Sequence, residues 1–333
     1  MRAGIVVCVL GLLATSAAAQ EERAAIDRSL AWLVGQQNAD GSWSLQGRDG
    51  TGCDFGSTGY ALLAFLRTGS NHRTGPHSKT VKAALQWLKS SQRADGGFGP
   101  TETLRAPSLR DEAIAIAAYV ENAALTGSPS HWKSARAAVT YLSTLVEAAD
   151  ATKRLDAETT AWIVMALSSG ERCGLMVTRK ARERCLAHLA ALTDGETGAI
   201  RATTAEAEAL ATAAATLGRV LAGSELRTDP ALRANVAYLE QHAAHGRDTA
   251  IDPRHVHFGV LAVDRCGGTA SGRWWEIKRE IAGAQLAEGE RAGTWTLDAE
   301  ARVGSVASVA ALTLALAVGR GEEARATVTR AVR

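Results

Sequence analysis

Cysteine, proline and aromatic residues are all scarce in this chain. Five cysteines and six prolines occur in 333 residues, and aromatics make up 5%. So few cysteines exclude a disulfide-dense scaffold. So few prolines exclude a Pro-rich chain, and 32 glycines without a triplet period exclude a collagen-like one. Charge of one sign is missing too. Lys+Arg total 37 and Asp+Glu 35, a net +2 that gives no electrostatic case for a nucleic-acid partner. No period-2 run of useful length suggests strands. What is present is 46% hydrophobic and 22% charged residue, ample for a core and incompatible with wholesale disorder.

The N-terminus reads as an export signal. Met1-Arg2 is a minimal positive region, Ile5 to Leu13 is apolar, and Ala17-Ala18-Ala19 before Gln20 is a small-residue cleavage site. The apolar part is short for a membrane span. Residues 20–333 hold no other candidate span, because Val303 to Val318 is interrupted by Ser305, Ser308 and Thr313 and reads as a core helix. A periplasmic or extracellular location is expected. The absence of any Asn-x-Ser/Thr fits a bacterial source.

The eight tryptophans equal the four tyrosines and four phenylalanines combined, and a repeat explains part of the surplus. Trp32-Leu33, Gln37, Asp40-Gly41 and Trp43 recur 55 residues later as Trp87-Leu88, Gln92, Asp95-Gly96 and Phe98. Weaker copies begin at Tyr141-Leu142, His188-Leu189 and Tyr238-Leu239, and Gln285 with Gly293-Thr294-Trp295 closes a sixth. A spacing of about 50 residues accommodates two helices and two loops.

The two helices of a repeat differ in character. Thr80 to Ser91 is amphipathic and reads as half-exposed. Gly59 to Leu66, Ala113 to Val120, Thr160 to Leu167, Ala205 to Leu217, Phe258 to Val263 and Val306 to Val318 are apolar nearly all round and read as buried. Ser108 with Asp111 and Thr203 with Glu206 have capping-box spacing, and Asp252-Pro253 is a start signal. Twelve helices, alternately half-exposed and buried, make two concentric layers. The expected fold is an all-α (α/α)6 toroid in which residues 20–333 form a single domain of six helix pairs. An open solenoid would leave apolar inner helices facing water.

The motif at Trp32 to Trp43, with its copy ending at Phe98, resembles the QW-type repeat of squalene and hopene cyclases. Protein prenyltransferase β subunits carry related repeats, and the thioester domains of the macroglobulin and complement family share the toroid. The segment Gly59 to Gly69 with the second motif resembles secreted bacterial proteins with prenyltransferase and squalene oxidase repeats. The resemblance implies a fold more than a chemistry. The Asp-x-Asp-Asp acid of the cyclases is absent from the sequence. The thioester families need Cys-Gly-Glu-Gln, whereas Cys53 is followed by Asp54-Phe55-Gly56. The zinc site of prenyltransferases implies Asp, Cys and His ligands near inner-helix starts. Cys53, Asp54, His255 and His257 are the residues that would supply them, although Cys53-Asp54 reverses the family's Asp-x-Cys order. No cofactor is expected, with zinc as the alternative.

In a toroid all inner helices run parallel, so their N-termini share one face. Tyr60, Arg110, Asp111, Glu112, Asp156, Glu158, Glu206, His255, His257 and Ser305 should rim it as the candidate ligand site. The pairs Asp111/Glu112, Asp156/Glu158 and Glu206/Glu208 would serve a sugar-active enzyme, or simply cap helices. Cys53 starts an inner helix and Cys266 ends one, too far apart to bond. Cys173 and Cys185 are local to each other and open to a disulfide. The expected function is a non-catalytic exported module binding a small-molecule or protein partner; the alternative is a prenyltransferase-like or cyclase-like enzyme.

Overall fold

The computed structural model describes residues 2–44, 55–100, 107–148, 155–243, 252–267, 272–296 and 305–319, with side chains from residue 18 onward. Among these residues the chain is all helical. Outer helices α1 (Arg2–Gly35), α3 (Ser78–Ser90), α5 (Pro129–Glu147), α7 (Arg179–Leu192), α9 (Pro230–Gln241) and α11 (Gly272–Gly283) alternate with inner ones. The inner helices are α2 (Phe55–Arg67), α4 (Leu109–Thr126), α6 (Ala157–Arg172), α8 (Ala205–Leu221), α10 (Pro253–Arg265) and α12 (Val306–Leu316). Each inner helix packs on the next, and α12 packs back on α2, so the inner layer is a closed ring. This is the (α/α)6 toroid expected from the alternation. No helix of the described residues is long and apolar enough to cross a membrane.

Small residues let the inner helices approach closely. Ala113, Ala115, Ala117 and Ala118 of α4 are buried, as are Ala213, Ala214 and Ala215 of α8. The outer helices bury one face. The residue after the first aromatic or equivalent position of each repeat is Leu33, Leu88, Leu142, Leu189, Leu239 or Ile281, and all six are buried. Pro129, Pro230 and Pro253 open their helices, where a missing N–H costs nothing. Ser108 caps α4 by accepting from the Asp111 N–H at 3.1 Å, and Asp252 caps α10. The expected Thr203 cap is displaced by one residue: Thr204 accepts from the Ala207 N–H at 3.2 Å. Both threonines precede α8, and backbone register decides between them.

The repeat motif is a clamp between successive outer helices. Gln37 donates to the Gly41 carbonyl of its own turn at 2.9 Å and to the Thr80 carbonyl of α3 at 3.0 Å. Gln92 bonds Gly96 and then Ser134 of α5, at 3.0 and 2.9 Å. Gln285 bonds Gly293 at 3.2 Å and Ala25 of α1 at 2.8 Å. The last motif therefore ties the last outer helix to the first. In the fourth repeat the direction reverses: Asn235 of α9 donates to the Gly198 carbonyl at 2.6 Å. Trp43 and Trp295 fold back over their own helices, fully buried, with Nε1 donating to Leu33 and Ile281 carbonyls at 2.7 Å each. Removing such a ring costs ~3–5 kcal/mol.

The turn itself demands glycine. Gly293 has φ +88°, and a Cβ there would sit 2.4 Å from the Arg28 carbonyl oxygen of α1. Gly289 in the same loop has φ +82° with nothing within 4 Å. Gly289→Ala should cost only the backbone term, ~1–2 kcal/mol. Gly293→Ala should cost at least ~2 kcal/mol more, because the clash is with backbone. Urea unfolding of the two variants checks this; equal losses would contradict the clamp.

Candidate functional site

The N-terminal ends of α4, α6 and α10 bring three charged residues to one point. Arg110, Glu158 and Arg254 each occupy the second position of their helix. Glu158 Oε2 lies 3.4 Å from Arg110 Nη1 and 3.1 Å from Arg254 Nη1. Asp252, the cap of α10, holds Arg254 from the other side at 2.9 Å. Glu158 is buried while both arginines remain part-exposed. Burial pushes its carboxyl above the usual range, and Arg254 and Arg110 oppose that. A carboxylate so placed is tolerated because two guanidiniums and a helix N-terminus face it.

One turn deeper lie three aromatic rings. The Tyr60 and Trp162 rings meet edge to face at 5.0 Å, and Trp162 stacks on His257 at 5.8 Å. Tyr60 and His257 are 6.1 Å apart. These rings come from α2, α6 and α10 and are buried. Among the described residues, Tyr60 Oη, Trp162 Nε1, Glu158 Oε1 and both ring nitrogens of His257 have no hydrogen-bond partner. Unsatisfied buried polar atoms are rare and mark a place for water or a ligand. Burial, then the Glu158 charge, raises the Tyr60 hydroxyl well above its ordinary pKa. Burial lowers His257 to about 3, helped by Arg67. The neutral forms therefore prevail, and the site offers donors and acceptors with little net charge.

The expected rim separates into two groups. Tyr60, Arg110, Glu158 and His257 come together at this site, and Arg254, Asp252 and Trp162 complete it. The others serve the scaffold. Asp111 pairs with its cap, accepting from Ser108 Oγ at 2.7 Å, and Asp156 caps α6 through the Thr159 N–H at 2.7 Å. Glu112 faces outward: it accepts from the Phe98 N–H at 2.8 Å and the Tyr141 hydroxyl at 2.9 Å, and pairs with Arg93 at 2.9 Å. Glu208 likewise takes the Tyr238 hydroxyl at 3.0 Å. Glu206 is exposed, and Ser305 caps α12 through the Ser308 N–H. Arg254 was legible in principle, since it matches the helix position of Arg110 and Glu158.

The two candidate zinc ligands among the described residues, His255 and His257, do not come together. Cys53 and Asp54 lie outside the described residues. His255 and His257 are two residues apart on a helix and so point to different sides. His255 meets Trp274 of α11 at 5.4 Å, whereas His257 stacks on Trp162 of α6. Among the described residues no three His, Cys, Asp or Glu side chains gather as a metal site. Asp264-Arg265-Cys266 does have Asp-x-Cys order, but it closes α10 at the opposite end from the helix starts. Cys173 and Cys185, open to a disulfide by their closeness in sequence, are both free thiols here. The Cys173 thiol donates to the Gly170 carbonyl at 3.2 Å, and Cys185 is buried in α7 with its pKa pushed up to about 12.

Burial also makes the histidines a pH liability. His255 is held at about 4 and His257 at about 3 by desolvation. The unfolded chain, with histidines near about 6.5, binds more protons below that pH. The stability of the neutral histidines is thus full above about 6.5 and is lost as the pH falls toward the folded values. Urea midpoints should fall between pH 7.5 and pH 5, and His257→Phe should flatten that fall. An unchanged slope in the variant would contradict the assignment.

The family comparison agrees with this architecture. Residues 3–153 match the family model described as squalene-hopene cyclase C-terminal domain. The matched segment spans α1 through α5 and contains both clear motif copies. No curated protein matches the chain. Residues 3–153 are thus similar to the squalene-hopene cyclase C-terminal domain, and the closed helical ring is in keeping with the α/α toroid of the terpenoid cyclases.

Proposed function

We propose that this chain is an exported α/α toroid that binds a small polar ligand at the N-terminal ends of its inner helices and carries out no cyclisation or prenyl transfer. Residues 1–19 are the export signal on this reading, and residues 20–333 form one domain of six helix pairs. The observation that carries the binding role is the set of unpartnered buried atoms on Tyr60, Trp162, His257 and Glu158 beneath the Arg110–Glu158–Arg254 cluster. A scaffold without a ligand gains nothing from leaving these groups unsatisfied, each at a cost of ~1–3 kcal/mol. Support for a non-catalytic role is the absent Asp-x-Asp-Asp acid, together with the different packing of His255 and His257.

The alternative is an enzyme of cyclase-like or prenyltransferase-like class using the same site. Glu158 is the observation on its side, since burial moves its carboxyl toward the range of a general acid. Two measurements separate the readings. Protein recovered after export should begin at Gln20 and give no product with squalene, or with an isoprenoid diphosphate and a thiol peptide. Native mass spectrometry of the same sample should show a small adduct that Glu158→Gln and Tyr60→Phe weaken roughly ten-fold, the scale of one charge-assisted hydrogen bond. A cyclised or prenylated product that disappears in Glu158→Gln would overturn the proposal in favour of the enzyme.

A further inference from the structure

The opposite face of the ring, where the inner helices end, has a second polar arrangement. Arg67, Arg172 and Arg265 are the last residues of α2, α6 and α10, where cations suit the helix dipole. Buried Glu121 of α4 pairs closely with Arg172, accepts from Ser169 Oγ at 2.6 Å, and stands 3.6 Å from Arg67. That last separation is an ion pair longer than a hydrogen bond.

Between α2, α6, α10 and α12 lies a pocket of about 50 Å3. Leu63, Met165, Leu261 and Leu314 form its apolar wall. Its polar lining is Arg67, Asp264, Arg265 and His257, with Arg265 exposed to solvent and His257 buried. The His257 ring thus stands between the two faces of the toroid, touching Tyr60 and Trp162 on one side and this pocket on the other.

A cavity lined only by hydrocarbon stays dry. Here a buried imidazole with no partner on either nitrogen among the described residues shares the lining with a guanidinium. Because burial keeps His257 neutral, one ring nitrogen donates. Arg67 carries five N–H donors, and Glu121, which stands 3.6 Å from it, is also occupied by Arg172 and Ser169. Asp264 is the lining acid, and it has an interaction of its own. Donors around the pocket therefore exceed acceptors, which selects a small oxyanion over a cation. The volume is small, on the order of a few water-sized groups, and the wall is aliphatic.

We infer that this pocket binds a short-chain monocarboxylate of two to four carbons. The carboxylate lies between the Arg67 guanidinium and the His257 N–H, and the alkyl group lies against Leu63, Met165, Leu261 and Leu314. The inference shares His257 with the ligand proposed for the N-terminal face and otherwise rests on different side chains, so Arg67→Met tests it apart from that reading.

Isothermal titration of the full chain with sodium acetate, propionate, butyrate and octanoate, at constant ionic strength set with chloride, tests it. Acetate to butyrate should bind, and octanoate should bind at least roughly ten-fold more weakly because the pocket cannot hold its chain. Arg67→Met should weaken butyrate roughly ten-fold or more, the scale of a charged hydrogen bond. His257→Gln, which keeps an N–H donor, should retain more affinity than His257→Leu. If the His257 variants do not fold, the ring signals of His257 in the unaltered protein should still shift on adding butyrate. Octanoate binding as tightly as butyrate, undiminished binding in Arg67→Met, or unmoved His257 signals with all three short acids would overturn it.

Discussion

One glutamine amide bridging two neighbouring outer helices holds the ring shut. Gln285 reaches the Ala25 carbonyl of α1 while fixing its own turn through Gly293. Arg28 of α1 answers by donating to Gln285 Oε1 at 2.8 Å. The same geometry joins α1 to α3 through Gln37 and α3 to α5 through Gln92. A bond from each repeat to the next propagates order along the chain. A bond from the last to the first converts a stack into a ring. The inner layer closes the same way, because α12 packs on α2 and buries the apolar faces an open solenoid would expose.

Closure is what creates both candidate sites. With one outer helix returning the chain between inner ones, every inner helix runs the same way. Arg110, Glu158 and Arg254 then meet at one end, and Arg67, Glu121 and Arg172 at the other. Arginine guanidiniums dominate where helix C-terminal carbonyls gather, as the dipole favours, whereas at the N-terminal end Glu158 is the charge the dipole favours and the two arginines are held by Glu158 and Asp252. The aromatic rings between them are packed but incompletely hydrogen-bonded. Low-dielectric surroundings make such gaps costly, so they are informative about what the molecule holds. His257 belongs to both ends, which couples the two faces through one imidazole.

Much of the scaffold was legible in the sequence. The alternation of amphipathic and fully apolar segments marked which helices lie outside and which inside, because burial follows the apolar face directly. The tryptophan and glycine of the motif were equally readable, since one needs a buried surface and the other a positive φ. The far end of the clamp was not. Gln37 bonds a carbonyl 43 residues away, and every residue has a carbonyl, so nothing in Thr80 advertises the role. The site was legible by face and not by direction. Glu112 and Glu158 both follow helix starts, yet Glu112 turns outward to the Phe98 N–H and Glu158 inward to two arginines. His255 and His257 divide the same way. A small rotation about a helix axis decides such cases, and packing sets that rotation. The motif positions of the third and fifth repeats fall partly outside the described residues.

Hydrogen-exchange mass spectrometry on Gln285→Leu measures ring closure most directly, because it reads the two ends of the chain at once. The clamp account predicts faster exchange both in α11 and in the stretch of α1 around Ala25, about 260 residues earlier in sequence. Protection in α4 and α6, on the far side of the ring, should stay near its original level. Faster exchange confined to the loop around Gln285, with α1 unchanged, would contradict the claim that this amide closes the ring.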